Sequence, residues 1–437
     1  MKPTRRRRQS AADLLIVGGG IAGTSALAEA RRRGISAICL EARAKVGGRI
    51  RTARDRRIAR YPIELGAEFV HGPRMKQVCE SLGLTLVRHP SDGDAFVDGQ
   101  LHPLLPILEV FKSIRHRAAE HLASGKEDLS VEEFLEAFTR VEKRLPRGVT
   151  PHLLSQLVRN DFATRVSDLG LLGLLAPDVD GYEDNYRVAE GYDEVPRRLA
   201  EAGDIRCNHV VTAILRYPGQ VEVLTSRGVF SANVAVVCLP LGVLQAGDLH
   251  FDPPLSPDKA AAIGAMRAGA ATKLVLGFRR TKKGATFWPP TTPLLATSLA
   301  TQLWWPTGWG YDDQRHFLAS CLVGGAAVAR FAERDPYQVG LAQLSHMFGR
   351  DRVRRRALRW FRVKSWHNDP HTKGGYSSVP VDVGYDLVRH LESPEDEINP
   401  QLFFAGDYVT RHPGSAHSAY QSGIDAVGRA AAMRSVR

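Results

Sequence analysis

Leu14-Leu15-Ile16-Val17-Gly18-Gly19-Gly20-Ile21-Ala22-Gly23 decides how the rest of this sequence is read. Four consecutive apolar residues make a short buried strand, and they run straight into three glycines. Ile21 to Arg33 follows as an alanine-rich helix that Gly34 stops, and Ile35 to Leu40 as a second, parallel strand. The glycine spacing is G-x-G-x-x-G at the turn of a strand–turn–helix. Gly18 permits the tight turn, Gly20 lets the backbone approach a pyrophosphate, and Gly23 lets the helix pack close to the strand. The helix N-terminus then offers unpaired N–H groups to phosphate oxygens. Glu41, at the end of the second strand, stands where an acid takes ribose hydroxyls. A dinucleotide ligand is the expectation.

Beyond this unit the chain changes character. From about residue 75 to 175 helical periodicity dominates, as in Val131-Glu132-Glu133-Phe134-Leu135-Glu136-Ala137-Phe138, punctuated by Pro103, Pro106, Pro146 and Pro151. Strand patterns return from Ile205 to Val223, and Val234-Ala235-Val236-Val237-Cys238-Leu239 is apolar throughout, as a buried strand is. A mixed region rich in Trp, Pro and Gly runs from about 260 to 390. Leu402-Phe403-Phe404-Ala405-Gly406-Asp407 reads as a strand, and past a Pro-Gly loop a helix runs from about Ala416 to the end. Nucleotide-fold pieces thus fall at the start, the middle and the end. The expected fold is α/β: a discontinuous Rossmann-like cofactor-binding domain over 11–74, 186–258 and 395–437. An interleaved α+β substrate-binding domain is expected over 75–185 and 259–394.

Composition narrows the function classes. A chain of 437 residues has room for a sizeable core and more than one domain. Five scattered cysteines without a C-x-x-C pair point to reduced, buried thiols rather than a disulfide framework or a zinc site, so no metal is expected. The net charge of +12 is dispersed over runs such as Arg31–Arg33, Arg54–Arg60 and Arg350–Arg359. With no basic-aromatic stripe and no zinc-finger spacing, nucleic acid is not the expected partner. No apolar run approaches the roughly 20 residues that span a bilayer. The basic cluster Arg5 to Arg8 lacks the apolar run that export requires, so the first ten residues read as a solvated tail. The expected location is cytoplasmic, with no membrane association.

The second segment, Glu41-Ala42-Arg43-Ala44-Lys45-Val46-Gly47-Gly48-Arg49, resembles the flavin fingerprint of the flavin amine oxidase superfamily, which includes monoamine and polyamine oxidases. The resemblance continues in order along nearly the whole chain. Glu64-Leu65-Gly66-Ala67-Glu68-Phe69-Val70-His71-Gly72 is similar to an "LGA-x-W-x-HG" segment. Glu190-Gly191-Tyr192 with Val195 is similar to "GGY-x-x-L". Asn208 to Ile214 resembles the strand whose valine, here Val211, touches an adenine. Leu239-Pro240-Leu241-Gly242-Val243-Leu244 is close to the "PLGVL" of polyamine oxidases. Phe404-Ala405-Gly406-Asp407, with Gly414-Ser415-Ala416-His417 through Gly423, resembles the C-terminal flavin motif.

The resemblance implies FAD as cofactor, with Gly18, Gly20, Gly23, Glu41, Arg43, Gly48, Arg49, Gly66, Ala67, Glu68, Val211, Gly406, Asp407, Ser415 and Ala416 around it. Arg43 and Arg49 can neutralise its pyrophosphate or ribityl region through charge-assisted bonds. The final helix would aim its positive end at the flavin ring. Asp407 departs from the family's glutamate by one methylene, which puts its ribityl contact in doubt. Monoamine oxidases carry a flavin-linked cysteine where this chain has Gly375, so the FAD is expected to be noncovalent.

The implied chemistry moves a hydride equivalent from the carbon beside an amine nitrogen to flavin N5, within a dry, aromatic cavity. Lys273, in Ala271-Thr272-Lys273-Leu274-Val275-Leu276-Gly277-Phe278, matches the lysine that holds a water against N5 and aids reaction with dioxygen. Trp366 and Tyr376 match the aromatic walls of "W-x-x-D-P-x-x-x-G-x-Y-S", and His71 matches a histidine of animal polyamine oxidases. Glu68 and His71 could each reach the substrate or stay on the surface; Trp304-Trp305-Pro306-Thr307-Gly308-Trp309 reads as packing. The expected partners are a small-molecule mono- or polyamine and dioxygen, with a homodimer as the assembly considered. The alternatives are an L-amino-acid oxidase, which needs an arginine for the substrate carboxylate, and a flavin dehydrogenase or desaturase, which lacks the lysine.

Overall fold

The computed structural model describes residues 8–142, 145–146, 148–176, 185–312, 315–396 and 400–434. Strand β1 (Arg8–Val17) lies parallel to Gly228–Val237 on one side and to β2 (Ala37–Leu40) on the other. Leu15, Ile16 and Val17 are fully buried because helices and chain cover both faces of this sheet, which is why the sequence here is continuously apolar. Helix α1 (Ile21–Arg32) follows the glycine turn, and its chain leaves through Gly34 at φ +71°, a left-handed conformation suited to glycine. The strand starts earlier than expected. Arg8 pairs with Val229 and Ala11 with Ser231, so part of the stretch read as a solvated tail is sheet. Backbone pairing needs no apolar side chains, and the long strand Gly228–Val237 supplies the partner.

This sheet has eight strands, in the order His250–Asp252, Val211–Tyr217, Gln220–Thr225, Gly228–Val237, β1, β2, Asp204–Arg206. Leu402–Phe404 adds in parallel to Ala235–Val237, beside the strand's β1-free edge. The last helix, Ala416–Arg434, crosses α1 at small residues. A Cβ on Gly423 would come within 2.1 Å of the Ala22 carbonyl oxygen, and the Ser25 hydroxyl donates to the Tyr420 carbonyl at 2.8 Å.

In a second sheet of seven strands, Ala271–Arg279 is next to one edge and lies antiparallel between His316–Gly324 and the edge strand Ala357–Ser365. The region from 75 to 175 contains the expected helices Gly72–Ser81, Leu105–Ala123, Val131–Val141 and Pro151–Phe162. Ser130 and Glu133 close a capping box at the third of these. Three short strands, Leu86–His89, Asp94–Val97 and Gln100–Pro103, are interleaved where helical periodicity dominates the sequence. At four residues each they are too short to display an alternation. The α/β architecture expected from the sequence is the one observed. Among the described residues no helix is long and apolar enough to cross a membrane. Nor does any group of three or more His, Cys, Asp or Glu among them form a metal cluster. All five cysteines are free, four of them buried and Cys207 half-buried.

Candidate cofactor and substrate site

A cavity of about 360 Å³ opens where the ends of the parallel strands meet Ala271 and Leu322 of the second sheet. That volume lies within the range of small-molecule and cofactor sites. The glycine turn forms part of its wall through Gly18 and Gly20. Gly18 takes φ +106°, and a Cβ there would meet the Cys238 carbonyl oxygen at 2.8 Å. Gly20 is different: a Cβ would find nothing within 4 Å, so the space above it is free. No side chain caps α1, which leaves its first amides, at Ile21 and Ala22 on the cavity wall, without a side-chain acceptor. The geometry fits a bound phosphate. Gly23 does not face the cavity; a Cβ on it would stand 1.8 Å from the Gly18 carbonyl oxygen, so its part is close packing of helix on turn.

Glu41 is buried on the wall and braces the turn, its Oε2 accepting the Gly19 N–H and its Oε1 the Arg43 N–H, each at 2.7 Å. The two arginines expected to meet phosphates are both on the wall and both paired inside the protein. The Arg43 guanidinium donates to Asp369, which Lys364 also engages. Burial alone would raise the Asp369 carboxyl, but the Lys364 and Arg43 cations hold it below its ordinary range. Arg49 grips Asp407 at two points, Nη2 to Oδ1 at 2.5 Å and Nη1 to Oδ2 at 3.0 Å, and Nη1 also donates to the Gly375 carbonyl at 2.6 Å. The Ser377 N–H completes the Asp407 shell at 3.1 Å. The shorter acid that departs from the family pattern is thus the anchor of an arginine.

Gly48, Gly66, Ala67, Val211, Gly406, Ser415 and Ala416 also line the cavity. Ser415 caps the last helix, its Oγ accepting the Ser418 N–H at 3.2 Å, so that helix begins at the wall. Trp366 and Tyr376 belong to the same wall. The Trp366 indole donates to the Leu65 carbonyl at 3.1 Å, and burial pushes the Tyr376 phenol up to about 12, so it is neutral. Gly375 lies so near the second sheet that a Cβ would approach the Ala271 Cβ to 2.5 Å.

Lys273, Glu68 and His71 stand off the wall. Lys273 is only 2% exposed, not a solvated strand end. Its ammonium donates to Glu68 Oε2 at 2.5 Å and to the carbonyl of Gly66, itself a wall residue, at 3.2 Å. Glu68 is equally buried rather than a surface acid. Its other oxygen takes the Trp305 indole N–H at 2.9 Å and lies 3.0 Å from Arg187 Nε. Trp305, read as packing, is therefore part of a polar network. His71 precedes the helix Gly72–Ser81, its Nδ1 2.7 Å from Asn185 Oδ1, and burial keeps it neutral.

Sequence reasoning passed over Asp161, in the helix Pro151–Phe162. Solvent reaches its carboxylate, yet protein encloses it closely enough to push its carboxyl up to about 6 against a hydrogen bond from Asn160. Its charge is felt by Tyr376. Arg187 was missed as well, since nothing local marks an arginine that works through a residue more than a hundred positions away.

Solved structures define the fold. The chain superposes on wild-type putrescine oxidase bound to putrescine with a TM-score of 0.79 at 16% identity, covering 99% of this chain and all of that one. Cyclohexylamine oxidase from Brevibacterium oxydans matches at a TM-score of 0.77 and 19% identity, over 97% of this chain and 98% of the other. The fold is that of the flavin amine oxidases. The family model of flavin containing amine oxidoreductases matches residues 19–431, and the chain belongs to that family as a flavin-dependent amine oxidase. Among curated relatives, polyamine oxidase 3 of rice (Oryza sativa subsp. japonica) is 28% identical over 96% of this chain and 89% of its own length. Human lysine-specific histone demethylase 2 is 26% identical over 96% of this chain but 53% of its own.

Proposed function

We propose that the chain holds FAD noncovalently and oxidises a small mono- or polyamine to an imine, with dioxygen reduced to hydrogen peroxide. The observation that carries this reading is one cavity whose wall contains both the phosphate-ready turn at Gly20 and the aromatic pair Trp366 and Tyr376. Bound flavin supplies the two-electron chemistry; the residues of the chain hold it, orient the amine and keep water out. Gly18, Gly20 and the α1 amides would hold phosphate, Glu41 and Val211 the adenosine half, and Arg49 with Asp407 the stretch towards the ring. Gly375 has no room for a cysteine, and burial raises the Cys238 thiol on the wall, which keeps it unreactive. Both support noncovalent binding.

Asp161 supports a cationic amine as substrate. Its carboxylate, near enough for its charge to act on Tyr376, would locally offset the positive net charge of the chain, which repels a cation. The names of the rice relative and of putrescine oxidase point the same way. An amino-acid substrate is disfavoured because the wall arginines, Arg43 and Arg49, are already committed to Asp369 and Asp407. In balance, one amine and one dioxygen give one imine and one hydrogen peroxide, and water then hydrolyses the imine. The test is peroxide release from the flavin-loaded protein against primary amines, polyamines and amino acids, alongside anaerobic bleaching of the flavin. Peroxide with an amine is expected. Bleaching without peroxide under air would instead mark a dehydrogenase, and no bleaching by any amine would overturn the reading.

A further inference from the structure

Behind the Gly66–Ala67 wall, one carboxylate sits between two cations. Glu68, Lys273 and Arg187 are 4%, 2% and 3% exposed. Arg187 is tethered independently of Glu68, donating to the carbonyls of Thr307 at 2.6 Å and Pro306 at 3.0 Å. The Trp305 ring lies under the Lys273 ammonium at 5.1 Å while its N–H holds Glu68. A lysine this deeply buried ordinarily gives up its proton, and a carboxylate in contact reverses that preference.

We propose that Glu68 is a positioning residue that keeps Lys273 permanently charged, so that Lys273 presents a fixed positive charge behind the cavity wall rather than a base. The proposal rests on the flavin-oxidase reading for its setting. The remaining titratable groups facing the pair leave this assignment standing. Burial holds His89 low, at about 3, and neutral. It raises Tyr311 and Cys321, which stay neutral as well. Glu64 is pushed up to about 7 and is bonded to the Tyr192 N–H and the Thr52 hydroxyl, not to Lys273. Glu68 is held below its ordinary range: burial would raise it, but Lys273 and Arg187 outweigh that.

The test reduces the flavin photochemically without any amine, so it does not depend on the substrate being known. Two electrons and two protons then convert dioxygen to hydrogen peroxide, and the reoxidation rate is followed from pH 6 to 10. The wild type is expected to be flat across that range. Glu68→Gln is expected to fall about tenfold per pH unit above a midpoint below pH 9. Glu68→Gln/Lys273→Arg is expected to be flat again, because a guanidinium stays charged without help. Thermal unfolding of the apoprotein gives an independent readout: Glu68→Gln/Lys273→Met should melt higher than Glu68→Gln, having one uncompensated cation fewer. A flat profile for Glu68→Gln overturns the proposal, as does a double variant no more stable than the single. If Glu68→Gln does not fold, folding of the Lys273→Met double variant supports the proposal, and its failure to fold overturns it.

Discussion

A methyl group at Gly23 would stand 1.8 Å from the carbonyl oxygen of Gly18, so helix α1 and the turn that opens it already touch. Gly23→Ala must push the helix off the turn and is expected to cost about 1–3 kcal/mol, as overpacking does, with loss of bound flavin. Gly20→Ala makes the contrast. Its Cβ meets nothing within 4 Å, so the apoprotein should melt near the wild-type temperature while the flavin is still lost. The 450 to 280 nm absorbance ratio of the purified proteins and apoprotein melting curves separate the two.

Asp407→Asn leaves Arg49 without its two-point partner. Arg49 keeps 26% of its side chain exposed, so the expected cost is about 2 kcal/mol, below what a fully buried pair commands. Chemical denaturation measures it. Arg49→Lys should lose nearly as much, because an ammonium cannot span Asp407 and the Gly375 carbonyl together.

Gly375→Ala drives its Cβ against that of Ala271, 2.5 Å away. Destabilisation of about 1–3 kcal/mol is expected, and Ala271→Gly in the same chain should restore most of it. The four unfolding free energies form a double-mutant cycle, and additivity would show that the two residues do not meet. If FAD is noncovalent as proposed, acid or detergent denaturation of the wild type should release all of it.

Glu64 gives a pH dependence with a definite sign. Its carboxyl is pushed from 4.5 up to about 7, chiefly by burial. Between those values the native state keeps a proton that the unfolded chain has released. The stability from this group is complete below pH 4.5 and is lost as pH rises through 7. Glu64→Gln should therefore gain on the wild type as pH climbs from 5 to 7.5, by on the order of 2–3 kcal/mol. Parallel urea titrations at several pH values measure the gap.

Asp161→Asn is expected to raise KM for a diamine by about two- to fivefold with a smaller effect on a neutral-tailed monoamine, the fold-change of one weakened solvent-accessible charge contact. Steady-state peroxide assays on the two substrates read this directly.

The glycine turn, β1, α1 and the last helix were legible because their causes are local: glycines where a side chain collides, apolar runs where both faces are covered. Arg49 and Asp407 could each be picked out, but not their pairing, because 358 positions separate them. The strands Leu86–His89 and Asp94–Val97 were invisible because four residues carry too little pattern. Glu68 shows the same limit in the site itself. Its motif marks it for the site, but its contacts with Lys273, Trp305 and Arg187 join residues more than a hundred positions away and are not legible locally. Asp161 had no motif at all; only its electrostatic coupling to Tyr376, 215 positions away, makes it conspicuous.

The pairing of Leu402–Phe404 with Ala235–Val237 also has a bearing on biosynthesis. A ribosome adds about 5–20 residues per second, so roughly 20–80 s separate the emergence of the glycine turn from that of Asp407 and the last helix. Throughout that interval the growing chain carries an unfinished sheet edge and half a binding site.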